Sequence, residues 1–127
     1  QWDAGPNAGF TTAAEPWLPP ADDWRVVNVA AQAADPGSLL ALTRRLIALR
    51  RREPALSLGD IQLVPAAGTL LAYERRHGDR RLLVALNLGG AAATLDLPPG
   101  IRTGDVLLTT DGGDGPVPGA TSITLPG

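Results

Sequence analysis

Residues 69–88, TLLAYERRHGDRRLLVALNL, decide the fold class. Two mainly apolar runs flank the turn His77-Gly78-Asp79, and glycine with aspartate between two such runs is typical of a tight β-hairpin. The second run contains Leu82-Leu83-Val84-Ala85-Leu86, which is apolar on both faces and predicts a central strand covered on both sides. The stretch therefore predicts two neighbouring strands of an antiparallel sheet.

Further short strands are predicted on either side of this hairpin, separated by turns rich in glycine, proline and aspartate. In Thr94–Leu97 the apolar residues alternate with polar ones, so Asp96 should face outward. Strands of this length, roughly 8 to 12 residues apart, are typical of a β-sandwich. The sequence thus predicts an antiparallel β-sandwich over residues 54–127, with additional strands at Ile61–Val64, Thr94–Leu97, Val106–Thr109 and Ser122–Leu125.

One long helix is predicted before the strands, over residues 35–53. Asp35 is a suitable N-cap with Pro36 as the first helical residue, and Glu53-Pro54 ends the helix. Leucines recur at spacings of three and four and form a broad apolar face, which must lie against a sheet or another helix. They are Leu39, Leu42, Leu46 and Leu49.

Residues 1–34 show neither helical nor strand periodicity. Their run Pro16-Trp17-Leu18-Pro19-Pro20 cannot hold a helix, because each proline removes a donor and restricts the residue before it. The segment also carries large aromatic residues, so we expect it to pack rather than to float. The fold class predicted for the whole chain is mainly β with one long α-helix. The aromatic residues of this irregular segment are Trp2, Phe10, Trp17 and Trp24.

The composition excludes several classes of function. The 127 residues include no cysteine and one histidine, so thiol chemistry, disulfides and multi-histidine metal sites are excluded. The net charge of −2 and arginines without interleaved aromatics argue against a nucleic-acid partner. No stretch of about 18 apolar residues predicts a membrane helix or a membrane partner. Because the chain begins at Gln1 and lacks methionine, we expect it to be a processed or excised piece.

No catalytic or metal-binding group is predicted among the thirteen carboxylates. The aspartates fall mostly in turns, where they commonly bond their own backbone, and Glu53 and Glu74 sit among arginines. Asp105, Asp111 and Asp114 lie near glycines, but the order of ligands in an EF-hand is absent, so no metal and no cofactor are expected. His77, in a hairpin turn, is expected to be exposed and structural.

The tryptophans leave two binding functions open. Indole rings stack on sugar faces and also anchor protein interfaces. A stand-alone carbohydrate-binding module using Trp2, Trp17 and Trp24 is one possibility. A protein-interaction β-sandwich is another.

The first eleven residues, QWDAGPNAGFT, resemble a stretch of the α-glucosidases and oligo-1,6-glucosidases of the α-amylase superfamily, glycoside hydrolase family 13. The resemblance continues in order through Pro16-Trp17-Leu18-Pro19 and over nearly the whole chain. One departure is Ala30, where the family commonly has glutamate. The later matching blocks include Val27-Asn28-Val29, Asp35-Pro36, Leu46-Ile47-Ala48-Leu49-Arg50, Tyr73-Glu74-Arg75 and Val84-Ala85-Leu86-Asn87.

The resemblance implies a parent enzyme with a catalytic (β/α)8 barrel and a C-terminal antiparallel β-sandwich. Residues 1–53 would end the barrel, with an irregular segment over 1–34 and the last barrel helix over 35–53, and residues 54–127 would be the sandwich. The parent would be a retaining, cytoplasmic glycosidase acting on malto- or isomalto-oligosaccharides. The family's catalytic motifs lie earlier in the chain, so this piece would be non-catalytic and structural, with the barrel as its partner. The residues nearest to substrate would be Gln1, Trp2 and Phe10.

Overall fold

A computed structural model describes all residues 1–127, which form two compact units, Gln1–Ile47 and Ala48–Gly127. The chain is mainly β with one long α-helix, as predicted. The proposed domain boundary between residues 53 and 54 stays a prediction. In chain order the elements are a 3₁₀ turn (Pro6–Gly9), α1 (Val29–Ala34), α2 (Leu39–Arg52), α3 (Pro54–Leu58), β1 (Asp60–Val64), β2 (Leu70–His77), β3 (Arg80–Asn87), β4 (Ala93–Asp96) and β5 (Ser122–Leu125).

The predicted hairpin is present as β2 and β3, which pair antiparallel with His77 opposite Arg80. Gly78 takes a φ of 56° in the two-residue turn, a conformation that glycine adopts without steric cost. The strand order is β1-β2-β3, so the prediction that Leu82–Leu86 is a central strand was wrong. Its apolar faces have another cause. Leu83 and Ala85 pack on the core, and α3 packs against both β2 and β3.

A second sheet pairs β4 with β5, and the apolar core joins the two sheets. Leu95 of β4 is 2% exposed, while its neighbour Asp96 faces solvent as the alternation predicted. The antiparallel sandwich is therefore confirmed. Its buried core consists of Val64, Ala72, Leu95, Leu97 and Ile123.

The strand predicted at Val106–Thr109 is wrong, because these residues are irregular. Local hydrogen bonds hold this part of the chain in place of a strand ladder. Thr109 Oγ1 donates to the Gly113 carbonyl at 2.7 Å, and Thr103 Oγ1 donates to the Val117 carbonyl at 2.6 Å. The segment is thus a long connection between β4 and β5.

The long helix α2 begins at Leu39, three residues after the predicted first helical residue, Pro36. The cap is Ser38, whose Oγ accepts from the Ala41 N–H at 3.1 Å, rather than Asp35. Asp35 instead follows the last residue of α1, a short helix that the sequence did not predict. The short helix α3 was also missed, because five residues are too few to show a helical period. No helix combines the length and the apolar character needed to cross a membrane.

Candidate functional site

The segment predicted to lie nearest to substrate contains an unusual left-handed turn. Asn7, Ala8 and Gly9 have φ values of 53°, 52° and 73°. For a residue with a side chain this conformation costs about 1–2 kcal/mol. The Asn7 side chain offsets part of that cost, since its Nδ2 donates to the Ala13 carbonyl at 2.7 Å. The chain is thus fixed in a shape that it would not adopt without these contacts.

The start of the segment is tied to the first turn of α1. The Val29 N–H donates to the Gln1 carbonyl at 3.0 Å, and the Ala30 N–H donates to the Trp2 carbonyl at 2.9 Å. These donors belong to the helix N-terminus, where no helical carbonyl can accept from them. The cap residue Asn28 completes the arrangement, because its Oδ1 accepts from the Ala31 N–H at 2.9 Å. The position of the segment is therefore set by backbone bonds rather than by apolar packing.

The three residues predicted to lie nearest to substrate differ in how much of their side chains is free to contact a ligand. The Gln1 amide is used internally: in the orientation that satisfies both neighbours, its nitrogen donates to the Val27 carbonyl at 2.6 Å and its oxygen accepts from the Ala21 N–H at 3.1 Å. Trp2 and Phe10 keep 57% and 58% of their surface exposed. Only the two aromatic residues therefore have surface available for a ligand.

An open depression of about 720 Å³ lies beside the turn. Asp3 forms one wall, and its Oδ1 accepts from the Gly5 N–H at 2.8 Å. Its Oδ2 packs against Gly9, where an added Cβ would lie only 2.9 Å away. Phe10 is predicted near substrate but Asp3 is not, although an aspartate two residues before a glycine is a known signal for such a bond. The lining residues are Asp3, Gly5, Pro6, Gly9, Phe10, Thr11 and Thr12.

The carboxylates elsewhere are engaged in structural contacts. Burial alone would raise the pKa of Glu74, but hydrogen bonds from Arg76 and Arg81 outweigh it and hold the pKa below its ordinary value. The hydrogen bonds from Arg80 likewise lower the pKa of Glu53. Because an acid catalyst needs a raised pKa, neither group is suited to that role.

The remaining candidates are not brought together. No group of three histidine or carboxylate side chains is placed to hold a metal ion, and Asp111 instead accepts from the Gly113 N–H at 3.1 Å. His77 is exposed at the end of β2. Trp17 is 95% exposed, whereas the ring of Trp24 lies 4.1 Å beneath the guanidinium of Arg25.

Two family models match the chain in succession. The α-amylase catalytic domain matches residues 1–59, and the C-terminal domain of the α-amylase SusG matches residues 70–127. The chain belongs to the α-amylase superfamily of glycoside hydrolases. The first match covers the irregular segment and the helices α1 to α3, and the second covers the strands β2 to β5.

Individual members of the superfamily support this placement. A probable α-glucosidase of Rhizobium meliloti is 39% identical over 97 residues, which are 76% of this chain and 17% of that protein. A glucan 1,6-α-glucosidase of Streptococcus pneumoniae is 33% identical over 103 residues, 81% of this chain and 19% of that protein. The trehalulose synthase MutB of Pseudomonas mesoacidophila superposes with a TM-score of 0.93 at 32% identity, over 99% of this chain and 23% of that structure. The chain thus spans less than a quarter of each relative's length.

Proposed function

We propose that this chain is the C-terminal part of a retaining α-glucosidase that releases terminal α-linked glucose from short malto- or isomalto-oligosaccharides. The observation that carries the proposal is the succession of two family matches, a catalytic domain followed by a C-terminal domain. Relatives named as α-glucosidase and glucan 1,6-α-glucosidase support the substrate class. We also propose a cytoplasmic location for the enzyme.

Within that enzyme the chain has a structural, non-catalytic role. A retaining glycosidase needs two carboxyl groups about 5 Å apart, one of them with a raised pKa. Glu74 is the buried carboxylate of this chain, and its bonds to Arg76 and Arg81 hold its pKa down. Superfamily catalysis on a barrel takes its acid and nucleophile from the carboxyl ends of several strands. We therefore assign the catalytic carboxylates to the preceding part of the barrel.

We propose different structural roles for two successive parts of the chain. Residues 1–53 complete the barrel, and residues 54–127 form the sandwich that closes the polypeptide. The exposed apolar side chains of α2 support a barrel partner, because Leu39 is 71% exposed and Leu46 and Ile47 are also open to solvent. Trp2 and Phe10 are the parts of the chain that we place nearest to substrate.

Hydrolysis of an aryl α-glucoside tests both halves of the proposal. The full polypeptide that carries this chain should release the aryl group, and proton NMR should detect α-glucose as the first product. The 127-residue chain alone should show no turnover. A β-anomer as the first product would contradict the retaining mechanism, and inhibitor-sensitive turnover by the chain alone would contradict its structural role.

A carbohydrate-binding module remains the second candidate, favoured by the nearly complete exposure of Trp17. An indole held in this way is suited to stack on a sugar ring. Titration of the chain with maltotriose distinguishes the two functions. Saturable quenching that Trp17→Ala abolishes supports the module, while an unchanged tryptophan emission supports the structural role.

A further inference from the structure

The depression beside the left-handed turn combines three kinds of sugar-binding surface. Phe10 offers a half-exposed ring, on which the C–H face of a pyranose can stack. Asp3 offers a carboxylate whose Oδ1 already accepts from the Gly5 N–H, while no protein donor reaches Oδ2. Thr12 adds a hydroxyl that makes no hydrogen bond within the protein. An ionised carboxylate only accepts hydrogen bonds, so its partner must be a donor such as a sugar hydroxyl.

The size of the depression fits an extended saccharide better than a deeply enclosed ligand. Its volume of about 720 Å³ lies within the range of small-molecule clefts, roughly 300–1,000 Å³. It is shallow and widely open, so a bound sugar would remain partly in solvent. The carboxylate of Asp3 disfavours an anionic ligand at the same place. A neutral sugar rich in hydroxyls is the chemistry that matches the site.

The site is also rigid. The left-handed residues Asn7 and Ala8 are fixed by the bonds from the Trp2 N–H to the Ala8 carbonyl, at 2.8 Å, and from the Phe10 N–H to the Asn7 carbonyl, at 3.0 Å. Asp3 contacts Gly9 at a position where any side chain would collide. Backbone strain that the surrounding contacts maintain is common at binding sites. The Asp3 carboxylate and the backbone that carries Phe10 are therefore held in place before any ligand arrives.

We propose that Asp3, Phe10 and Thr12 form an outer subsite that binds a glucosyl residue of the oligosaccharide, beyond the two sugars joined by the cleaved bond. This assignment rests on the proposed α-glucosidase function. The subsite extends recognition to substrates of three or more sugars. It takes no part in bond cleavage.

A substrate-length series in the full polypeptide tests the subsite. The substrates are an aryl α-glucoside, maltose, maltotriose and maltotetraose, with their isomalto counterparts. Phe10→Ala should lower kcat/KM for the three- and four-sugar substrates by about five- to tenfold, the effect of losing one stacked or hydrogen-bonded contact. The values for the aryl glucoside should stay within about twofold of the wild type, because that substrate does not reach the outer subsite.

Two further variants test the subsite while keeping the hydrogen bonds that hold the turn. Asp3→Asn retains an oxygen to accept from the Gly5 N–H, and Thr12→Val removes only a hydroxyl without a protein partner. Both should give the same length-dependent loss, expressed mainly in KM. Leu18→Ala, at an exposed apolar side chain outside the depression, is the control and should leave the length profile unchanged.

The outcomes separate the two proposals. An active wild type whose length profile is unaltered in all three subsite variants overturns the subsite and leaves the proposed function in place. A loss that is equal for every substrate also overturns the subsite. A full polypeptide that hydrolyses none of the glucosides overturns the proposed function, and the subsite with it.

Discussion

The two compact units, Gln1–Ile47 and Ala48–Gly127, are held together in different ways. The buried residues of the first unit are Ala8, Asn28 and Ser38, and the polar two bond to backbone groups. The second unit has an apolar core that joins both of its sheets. The first is therefore shaped by specific hydrogen bonds, whereas the second is stabilised by the removal of apolar surface from water.

Only the second unit buries large apolar side chains. In the second unit, Leu95, Leu97 and Ile123 fill the core between the sheets, although other large apolar side chains of this unit, such as Leu63 and Leu88, are exposed. In the first unit the large apolar residues face outward, and Trp17 is 95% exposed. An exposed apolar patch on a fixed loop indicates a surface that serves a ligand or a partner. Because both units expose such residues, the depression beside Phe10, rather than exposure alone, places the candidate binding surface in the first unit.

The largest expected effect is on the sandwich core. Leu95→Ala removes a side chain that is 2% exposed, so we expect the free energy of unfolding to fall by about 3 kcal/mol. Urea unfolding followed by circular dichroism measures the change. The matched control Leu88→Ala, at a site 73% exposed, should cost less than about 0.5 kcal/mol. Equal effects of the two variants would contradict the assigned core.

Gly59→Ala should have the next largest effect. An added Cβ would lie 2.5 Å from the Ala55 carbonyl oxygen and 2.6 Å from that of Arg76, both backbone atoms. We expect a loss of about 2 kcal/mol in thermal or urea unfolding, because α3 must move away from β2. Gly90→Ala is the control, since nothing lies within 4 Å of its Cβ position. A Gly59→Ala variant as stable as the control would show that α3 is not packed tightly on the sheet.

In the first unit, replacing a buried polar residue should lower stability most. Asn28→Ala removes the cap of α1 and the bond to the Trp24 carbonyl at 3.0 Å, at a cost of about 1–2 kcal/mol. Hydrogen exchange of the Ala31 amide should become faster. Asn28→Asp keeps the acceptor for that amide and should preserve most of its protection. If the aspartate variant exchanges as fast as the alanine variant, the cap is not what protects α1.

The smallest expected effect is a dependence on pH. The pKa of Glu74 is lowered from 4.5 in the folded chain, so its pairing with Arg76 and Arg81 stabilises the fold above pH 4.5. That contribution is lost as the pH falls through the lowered pKa. Unfolding midpoints measured from pH 6 to pH 3 should decline more steeply in the wild type than in Glu74→Gln. Parallel curves would contradict the role of Glu74.

Much of the sheet could be predicted because the turn residues and the alternation of apolar and polar residues agree with the burial seen in the folded chain. The hairpin turn at Gly78 and the outward Asp96 follow from turn chemistry and alternation, and both are confirmed. Strand order could not be predicted, because the pairing of β1 with β2 is a tertiary event that leaves Leu82–Leu86 at an edge. The absence of a strand at Val106–Thr109 has a similar origin, since its apolar residues have no strand to pair with.

The candidate site was predictable only in part. The resemblance alone predicts that Gln1, Trp2 and Phe10 lie nearest to substrate. The depression depends on positive φ at Asn7 and Ala8, and alanine gives no local signal for that conformation. The wall formed by Asp3 follows from the same turn. Hydrogen bonds between residues two to six apart, such as those from Asn7 to Ala13 and from Trp2 to Ala8, therefore shape the candidate binding surface.

The mass of the native polypeptide that carries this sequence tests the central claim most directly. It can be isolated from the source cell, sized under denaturing conditions and assayed for maltose hydrolysis. A mass several times the 13.1 kDa of this chain, co-purifying with maltose hydrolysis, is the predicted result. A native polypeptide of 13.1 kDa without hydrolytic activity would contradict the assignment to an α-glucosidase.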